Sequence, residues 1–264
     1  TGTADKYINS DTTFTYAGTV THRDTGYILF GTQARLNNLA GAVYDLQGDG
    51  SLARQCCWAT GARVDNAGTF RKSGGTAISY VDGVSFHNTG TVEVASGTLA
   101  FYGGVTQHVG NTLTGGNWVV SGNAGLNMGN ANIMTSSASV TLSGQNSIFS
   151  QIDTLINNAA GGSFTIQNGR NFTTAGSFSN GGALNVGADS TFTVAAGSNY
   201  VQTEGSTVVN GALTVPGTMQ IQGGSLSGSG LINASVQNTG QLSPGNSPGI
   251  LNINGDYIQS PNGT

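Results

Sequence analysis

Charge is scarce in this chain. Asp, Glu, Lys and Arg make up 8% of 264 residues, against a usual ~25%, and none occurs between Val94 and Ile152. A well-packed globular enzyme rarely goes so far without a charged side chain, whereas a repetitive structural surface can. Of 8 Lys and Arg, seven lie at or before Lys72 and only Arg170 follows. With a net charge of −4 and no basic stripe, nucleic acid is excluded as a partner, because phosphates require clustered Lys and Arg. No apolar run approaches the ~20 residues of a membrane span, so no membrane insertion is expected. None resembles a signal peptide, and a chain that starts at Thr1 reads as a processed product or a fragment. Proline is too rare, at 4 residues, and apolar side chains too regular, at 37%, for a disordered chain. Helical periodicity is missing too: no segment keeps apolar residues at helical spacing without a glycine inside it.

What the chain has in place of these is repetition. Val64, Asn66, Gly68, Thr69 and Phe70 recur 22 residues later as Phe86, Asn88, Gly90, Thr91 and Val92. The spacing apolar-x-Asn-x-Gly-x-apolar returns at Phe178, Asn180, Gly182 and Leu184, and at Val236, Asn238, Gly240 and Leu242. Short alternating stretches such as Thr12–Tyr16, Tyr27–Phe30, Ala42–Leu46, Ala183–Val186, Ser190–Val194, Asn199–Val201, Ser206–Val209, Ala212–Val215 and Thr218–Ile221 read as strands. Turn signals, including Asn210-Gly211 and Pro216-Gly217, separate them. Because the unit repeats in one direction and does not reverse, hairpins are a poor fit. Coiling puts each strand beside its equivalent one turn later, in parallel and about 4.8 Å away. The expected fold is therefore all-β: a single-stranded, parallel, right-handed β-helix, or β-solenoid, of about 12 irregular coils of roughly 22 residues. At the inter-strand spacing that is a rod roughly 55–60 Å long. Residues 1–63 form the charged N-terminal coils and 64–264 the repeat region, with no domain boundary required between them.

Stacking gives the repeated asparagines a role. An Asn at the same place in successive coils can hydrogen-bond to the next and tolerates the turn conformation. Asn66 above Asn88 is the leading rung, with Asn180 and Asn238 as further members. The same register lays Arg71 over Glu93, an opposite-charge pair between coils.

Candidate chemistry is sparse. Cys56 and Cys57 are the only cysteines. Three uses stand open for them: one buried and one incidental thiol, an intermolecular crosslink, or a strained vicinal disulfide. Two cysteines make no zinc site without nearby partners, and His22, His87 and His108 are isolated. Asp45-Leu-Gln-Gly-Asp49-Gly50 faintly suggests a calcium loop but lacks the spacing and terminal Glu of an EF-hand. No metal, cofactor or catalytic residue is expected. A polysaccharide-cleaving β-helix would need paired carboxylates, for which Asp45, Asp65 and Asp82 beside Arg54 or Arg63 are the candidates. Tyr80, Tyr102 and Trp118 could stack sugars or fill the core. Asn171-Phe-Thr173, Asn233-Ala-Ser235 and Asn262-Gly-Thr264 match the glycosylation triplet, which a chain rich in Asn, Ser and Thr makes by chance. Thr-x-Thr pairs such as Thr13–Thr15 and Thr191–Thr193 do not recur at one coil position, which weakens ice binding.

The stretch from Gly240 to Gln259, GQLSPGNSPGILNINGDYIQ, resembles the segment near the end of the passenger in bacterial autotransporter-like adhesins. Val64–Gly104 is similar to repeats in very large secreted bacterial β-helix proteins. This resemblance implies export, a place on the bacterial surface or in extracellular matrix, and a stalk or adhesive role. It carries over no catalytic residues. Neither end of the chain shows a capping helix, so the expectation is either a piece of a longer passenger or ends that stack on other copies into an open filament. The partners expected are thus the chain itself or its longer parent, with surface glycans second. A glycan-binding or polysaccharide-cleaving β-helix is the alternative function.

Overall fold

The structure, a computed structural model, describes residues 2–245, 249–261 and 263–264. Asn246, Ser247 and Pro248 of the LSPGNSPG segment, and Asn262 of the last glycosylation triplet, lie outside the described residues. The chain is a β-solenoid of stacked parallel coils, and its one helical element among the described residues is a 3-10 turn at Ser150–Ile152. It divides into two compact units: Thr1–Gly110 with Thr114–Ala131 and Asn146–Gln151, and Asn111–Leu113 with Asn132–Gln145 and Ile152–Thr264. The change in composition at residue 63 therefore falls inside the first unit.

The coils of the first unit build three parallel sheets, and the first four coils contribute a strand to each of them. One face holds Lys6–Ile8, Tyr27–Phe30, Ser51–Arg54, Ile78–Asp82, Thr98–Phe101 and Gly125–Asn127. A second holds Thr13–Tyr16, Arg35–Asn38, Arg63–Asn66 and Ser85–Asn88. The third holds Thr19–His22, Val43–Leu46, Thr69–Lys72, Thr91–Val94 and Asn117–Ser121. The 22-residue register read from the repeat is the observed one: Val64 pairs Phe86, Asn66 pairs Asn88, Thr69 pairs Thr91 and Phe70 pairs Val92.

In the second unit one face stacks Ser139–Ser143, Ser163–Gln167, Ala183–Val186, Ser206–Val209, Ser225–Gly228 and Gln241–Pro244. Counted on these equivalent faces, the units hold five and six coils among the described residues, close to the expected 12. The other side of the second unit merges. Ala212–Ile221 is one ten-residue strand, where Pro216-Gly217 reads in sequence as a turn. The chain keeps going because proline is tolerated at a bulge, and the pairing with Leu231–Asn238 shifts register between Thr214 and Thr218.

The strands form where apolar and small polar residues alternate, so that one set points inward. Arg63–Asn66, Thr69–Lys72, Ser85–Asn88 and Thr91–Val94 all show the same alternation of half-buried and buried positions. Inside the first unit the rings stack along the axis. Tyr44 and Phe70 lie face to face at 4.9 Å and Phe70 meets Phe86 at 5.1 Å. Phe101 follows at 4.5 Å and Trp118 at 6.1 Å. Phe164, Phe172, Phe192, Phe178 and Tyr200 do the same in the second unit. Full burial of each ring stabilises by roughly 1.5–3 kcal/mol. Turns between faces must let coils approach closely. A Cβ on Gly90 would stand 2.2 Å from the Gly68 carbonyl oxygen, which is why glycine recurs there.

Candidate functional site

The best-organised polar structure is a buried amide ladder. Asn38 Nδ2 donates to Asn66 Oδ1 at 2.6 Å, and Asn66 Nδ2 donates to Asn88 Oδ1 at 2.7 Å. Each Nδ2 also reaches a backbone carbonyl of the next coil, Thr69 at 2.9 Å and Thr91 at 3.0 Å. A second ladder runs in the second unit, where Asn158 Nδ2 donates to Asn180 Oδ1 at 2.7 Å. Asn180 continues to Thr207 Oγ1, and Gln202 takes the next rung, donating to the carbonyls of Gly223 and Ser225. Asn238 donates to Tyr257 Oη and Gln259 Oε1, both at 3.1 Å. The lowest rungs, Asn38 and Asn158, each keep a buried Oδ1 with no donor, and at that place the preceding coil has Tyr16 or Ser136 and no amide. Buried polar groups stay paired because an orphan costs ~1–3 kcal/mol.

Asn38 and Asn158 escape the sequence pattern. Between Asn38 and Val43 the turn is two residues longer than between their partners Asn66 and Thr69. The same holds for Asn158 to Ser163 against Asn180 to Ala183. The insertion moves the glycine away from the expected spacing without moving the asparagine. Inward-facing Asn ahead of a glycine at any short interval is the signal that would have found both.

Most of the ion pairs lie between coils. Arg71 lies between Asp45 and Glu93 in register. Its guanidinium forms the ion pair with Asp45 at 2.8 Å, while Glu93 adds only a longer-range attraction. Burial pushes the Asp45 carboxyl up, but hydrogen bonds from Arg71, Ser73 and Gln47 outweigh it and hold the group below its ordinary value. Lys72 is fully buried. Its ammonium touches the Gly48 carbonyl at 2.8 Å, the Gly74 carbonyl at 2.9 Å, Ser79 Oγ at 3.0 Å and Asp49 Oδ1 at 3.1 Å. Both acids of the Asp45–Asp49 loop are thus committed to cations of the chain. Asp65 pairs with Arg63 at 2.8 Å and Arg35 at 3.9 Å. The three carboxylates considered for hydrolysis stand on three different sheets: Asp45 on Val43–Leu46, Asp65 on Arg63–Asn66 and Asp82 on Ile78–Asp82. The structure does not bring them together, and Arg54 is exposed beside Asp82's sheet neighbours.

The remaining candidates are scattered. Cys56 and Cys57 are free thiols in the loop after Ser51–Arg54, with Sγ atoms 3.6 Å apart and Cys57 exposed. A backbone hydrogen bond at Trp58 lowers the Cys56 thiol. His22 is buried between Tyr44 Oη and the Gly26 carbonyl, and burial holds its imidazole below the ordinary value. His87 hydrogen-bonds Thr106 and Gln107; His108 has a covered Nε2 without a partner. Trp118 is fully buried in the ring stack. Tyr80 and Tyr102 lie side by side on the surface, ring centres 5.6 Å apart. Asn171 Oδ1 accepts from the Thr191 amide at 2.8 Å, and Asn233 donates to Thr214. Among the described residues no helix is long and apolar enough to cross a membrane, which leaves strands out of account.

No protein-family model matches the chain, and neither does any curated protein or solved structure.

Proposed function

We propose that this chain is a secreted structural β-solenoid, a fibre subunit, stalk or adhesin of a bacterial surface or extracellular matrix, whose work is mechanical and interfacial. The observation that carries this reading is the direction in which the coils spend their polar groups. Ladder amides, backbone groups and most ion pairs bind the next coil rather than converge on one point, as Asn38–Asn66–Asn88 does across three coils. Such a stack resists shear because the coils are held by parallel backbone bonds and, at Asn38–Asn66–Asn88 and Asn158–Asn180, by buried side-chain rungs. The resemblance of Gly240–Gln259 to autotransporter-like passengers supports export and a surface location.

Assembly end to end is part of the proposal. Within the described residues Lys6–Ile8, Thr13–Tyr16 and Thr19–His22 each pair on one side only, and Tyr7 and Phe14 beside them are 56% and 44% exposed. Unpaired edges of this kind accept further strands, from another copy or from more of a longer parent chain. Negative-stain electron microscopy over a concentration series, with and without reductant, tests it. Unbranched fibres that lengthen with concentration are expected, and their loss in reductant would assign Cys56 or Cys57 a crosslinking role. Isolated particles at every concentration would overturn assembly.

A further inference from the structure

One surface breaks the rule that polar groups serve the neighbouring coil. On most outward-facing columns each Asn donates its Nδ2 to the coil before it: Asn37 to Thr15, Asn117 to Thr91, Asn185 to Thr165, Asn254 to Asn233. Asn127 cannot. Its partner in register is Ala100, whose side chain has no acceptor, and the Asn127 Nδ2 has no partner among the described residues. Its Oδ1 is fixed instead by the Gly129 amide at 2.8 Å and by Gln151 Nε2 at 3.1 Å. Gln151 gives the same Nε2 to the Gly129 carbonyl and is left with a covered, unpaired Oε1. Asn130 is exposed and its side chain forms no hydrogen bond among the described residues.

These amides border a cleft of about 600 Å³ whose wall is the Tyr102 ring, half exposed at 51%. The ring rests against Gly129, where a Cβ would come within 3.4 Å of its edge, and the Tyr80 ring lies tilted beside it, centres 5.6 Å apart. No lining residue is charged. The volume is in the range of small-ligand sites.

An aromatic face beside uncommitted amide donors and acceptors, without charge, matches one ligand chemistry. A sugar ring offers an apolar C–H face to an aromatic ring and hydroxyls, each donor and acceptor, to amides. An acidic sugar would find no cation here. We propose that this cleft binds a neutral oligosaccharide, with Tyr102 as the stacking platform and Asn127 and Asn130 as the hydroxyl-reading groups. The proposal does not depend on fibre formation, and the two are read by separate measurements.

The test is isothermal titration of the full chain with neutral hexasaccharides, cellohexaose and mannohexaose, and with an oligogalacturonate as the acidic comparison. At least one neutral hexasaccharide is expected to bind and the oligogalacturonate not. Tyr102→Ala should weaken that binding about 10-fold or more, the loss of one stacking contact. Tyr102→Phe, which keeps the ring, should stay within about 3-fold. Asn130→Ala touches nothing that holds the fold and should cost roughly 2–10-fold, one hydrogen bond. Tyr7→Ala, another exposed tyrosine, should change nothing. Absence of neutral-saccharide heat at millimolar concentration, equal binding of the oligogalacturonate, or binding indifferent to both Tyr102→Ala and Asn130→Ala would overturn the proposal.

Discussion

In the first unit the amide ladder is accompanied by charge: Asp45–Arg71, Asp49–Lys72 and the Asp65 pairs with Arg63 and Arg35. Among the described residues every ion pair within 4 Å belongs to that unit. The second unit meets the same need with neutral groups, a Tyr200–Thr207–Gln202 hydroxyl and amide network inside its ring stack. Parallel coils thus pair most of their buried polar groups, and the pairing need not be ionic. Charge adds sensitivity to pH and salt that a neutral network lacks.

The largest effects should come from the interiors. Lys72→Met leaves two carbonyls and Asp49 without their cation, and is expected to cost about 3–5 kcal/mol. Phe192→Ala in the second unit removes a buried ring and should cost about the same. Urea unfolding of the two variants compares them directly, and a neutral or stabilising Lys72→Met would show that the ionic fastening of the first unit is dispensable. Next come the ladders. Asn66→Ala strips a donor from Asn88 Oδ1 and an acceptor from Asn38 Nδ2, and Asn180→Ala strips a donor from Thr207 Oγ1 and an acceptor from Asn158 Nδ2. Both should cost ~1–3 kcal/mol, since each takes a partner from one buried donor and one buried acceptor; unequal losses would separate the units.

Acid should split the units in sign. Asp45 is held below its ordinary value, so its contribution is complete above the unfolded value of ~3.9 and is lost as pH falls through the lower folded value. Asp153 in the second unit is pushed up by burial, with Arg170 offsetting part of it. Its contribution is complete below the unfolded value and lost as pH rises through the folded one. Asp45→Asn should therefore be less stable than the parent at pH 6 with the gap narrowing at pH 3. Asp153→Asn should be more stable than the parent at pH 6, again with a narrowing gap at pH 3. Unfolding midpoints at the two pH values check both. The smallest effect is expected from Asp65→Asn, whose half-exposed arginine partners are screened by water. Its cost should be under ~1 kcal/mol and vanish in 1 M salt.

The coil register from Val64 to Gly104 was legible because it is written locally. Five positions recur at one spacing, three of them with the same residue, and parallel stacking with identical offset is the arrangement that puts Asn66 on Asn88. The proline-glycine pair at Pro216-Gly217 misled because a local turn signal yields when the strands on both sides can pair through it. Lys72 gave no sign of burial: an outward lysine and one whose ammonium meets two carbonyls, a serine and an aspartate are spelled alike. Tyr80, Tyr102 and Trp118 read alike in sequence, open to stacking sugars or filling the core; Tyr102 lies half exposed, whereas Trp118 turned inward with the alternation of its strand.

By itself, then, the sequence determined the class of fold, since alternation, glycine-marked turns and a same-direction repeat are properties of neighbouring residues. Only the tertiary structure decided which distant residues face each other across coils of unequal length. A two-residue insertion before Val43, or an alanine rather than a threonine beneath Asn127, is invisible to a local pattern. Yet it sets whether Arg71 meets Asp45, where a ladder begins, and whether an amide is satisfied by the coil below or left open at the surface.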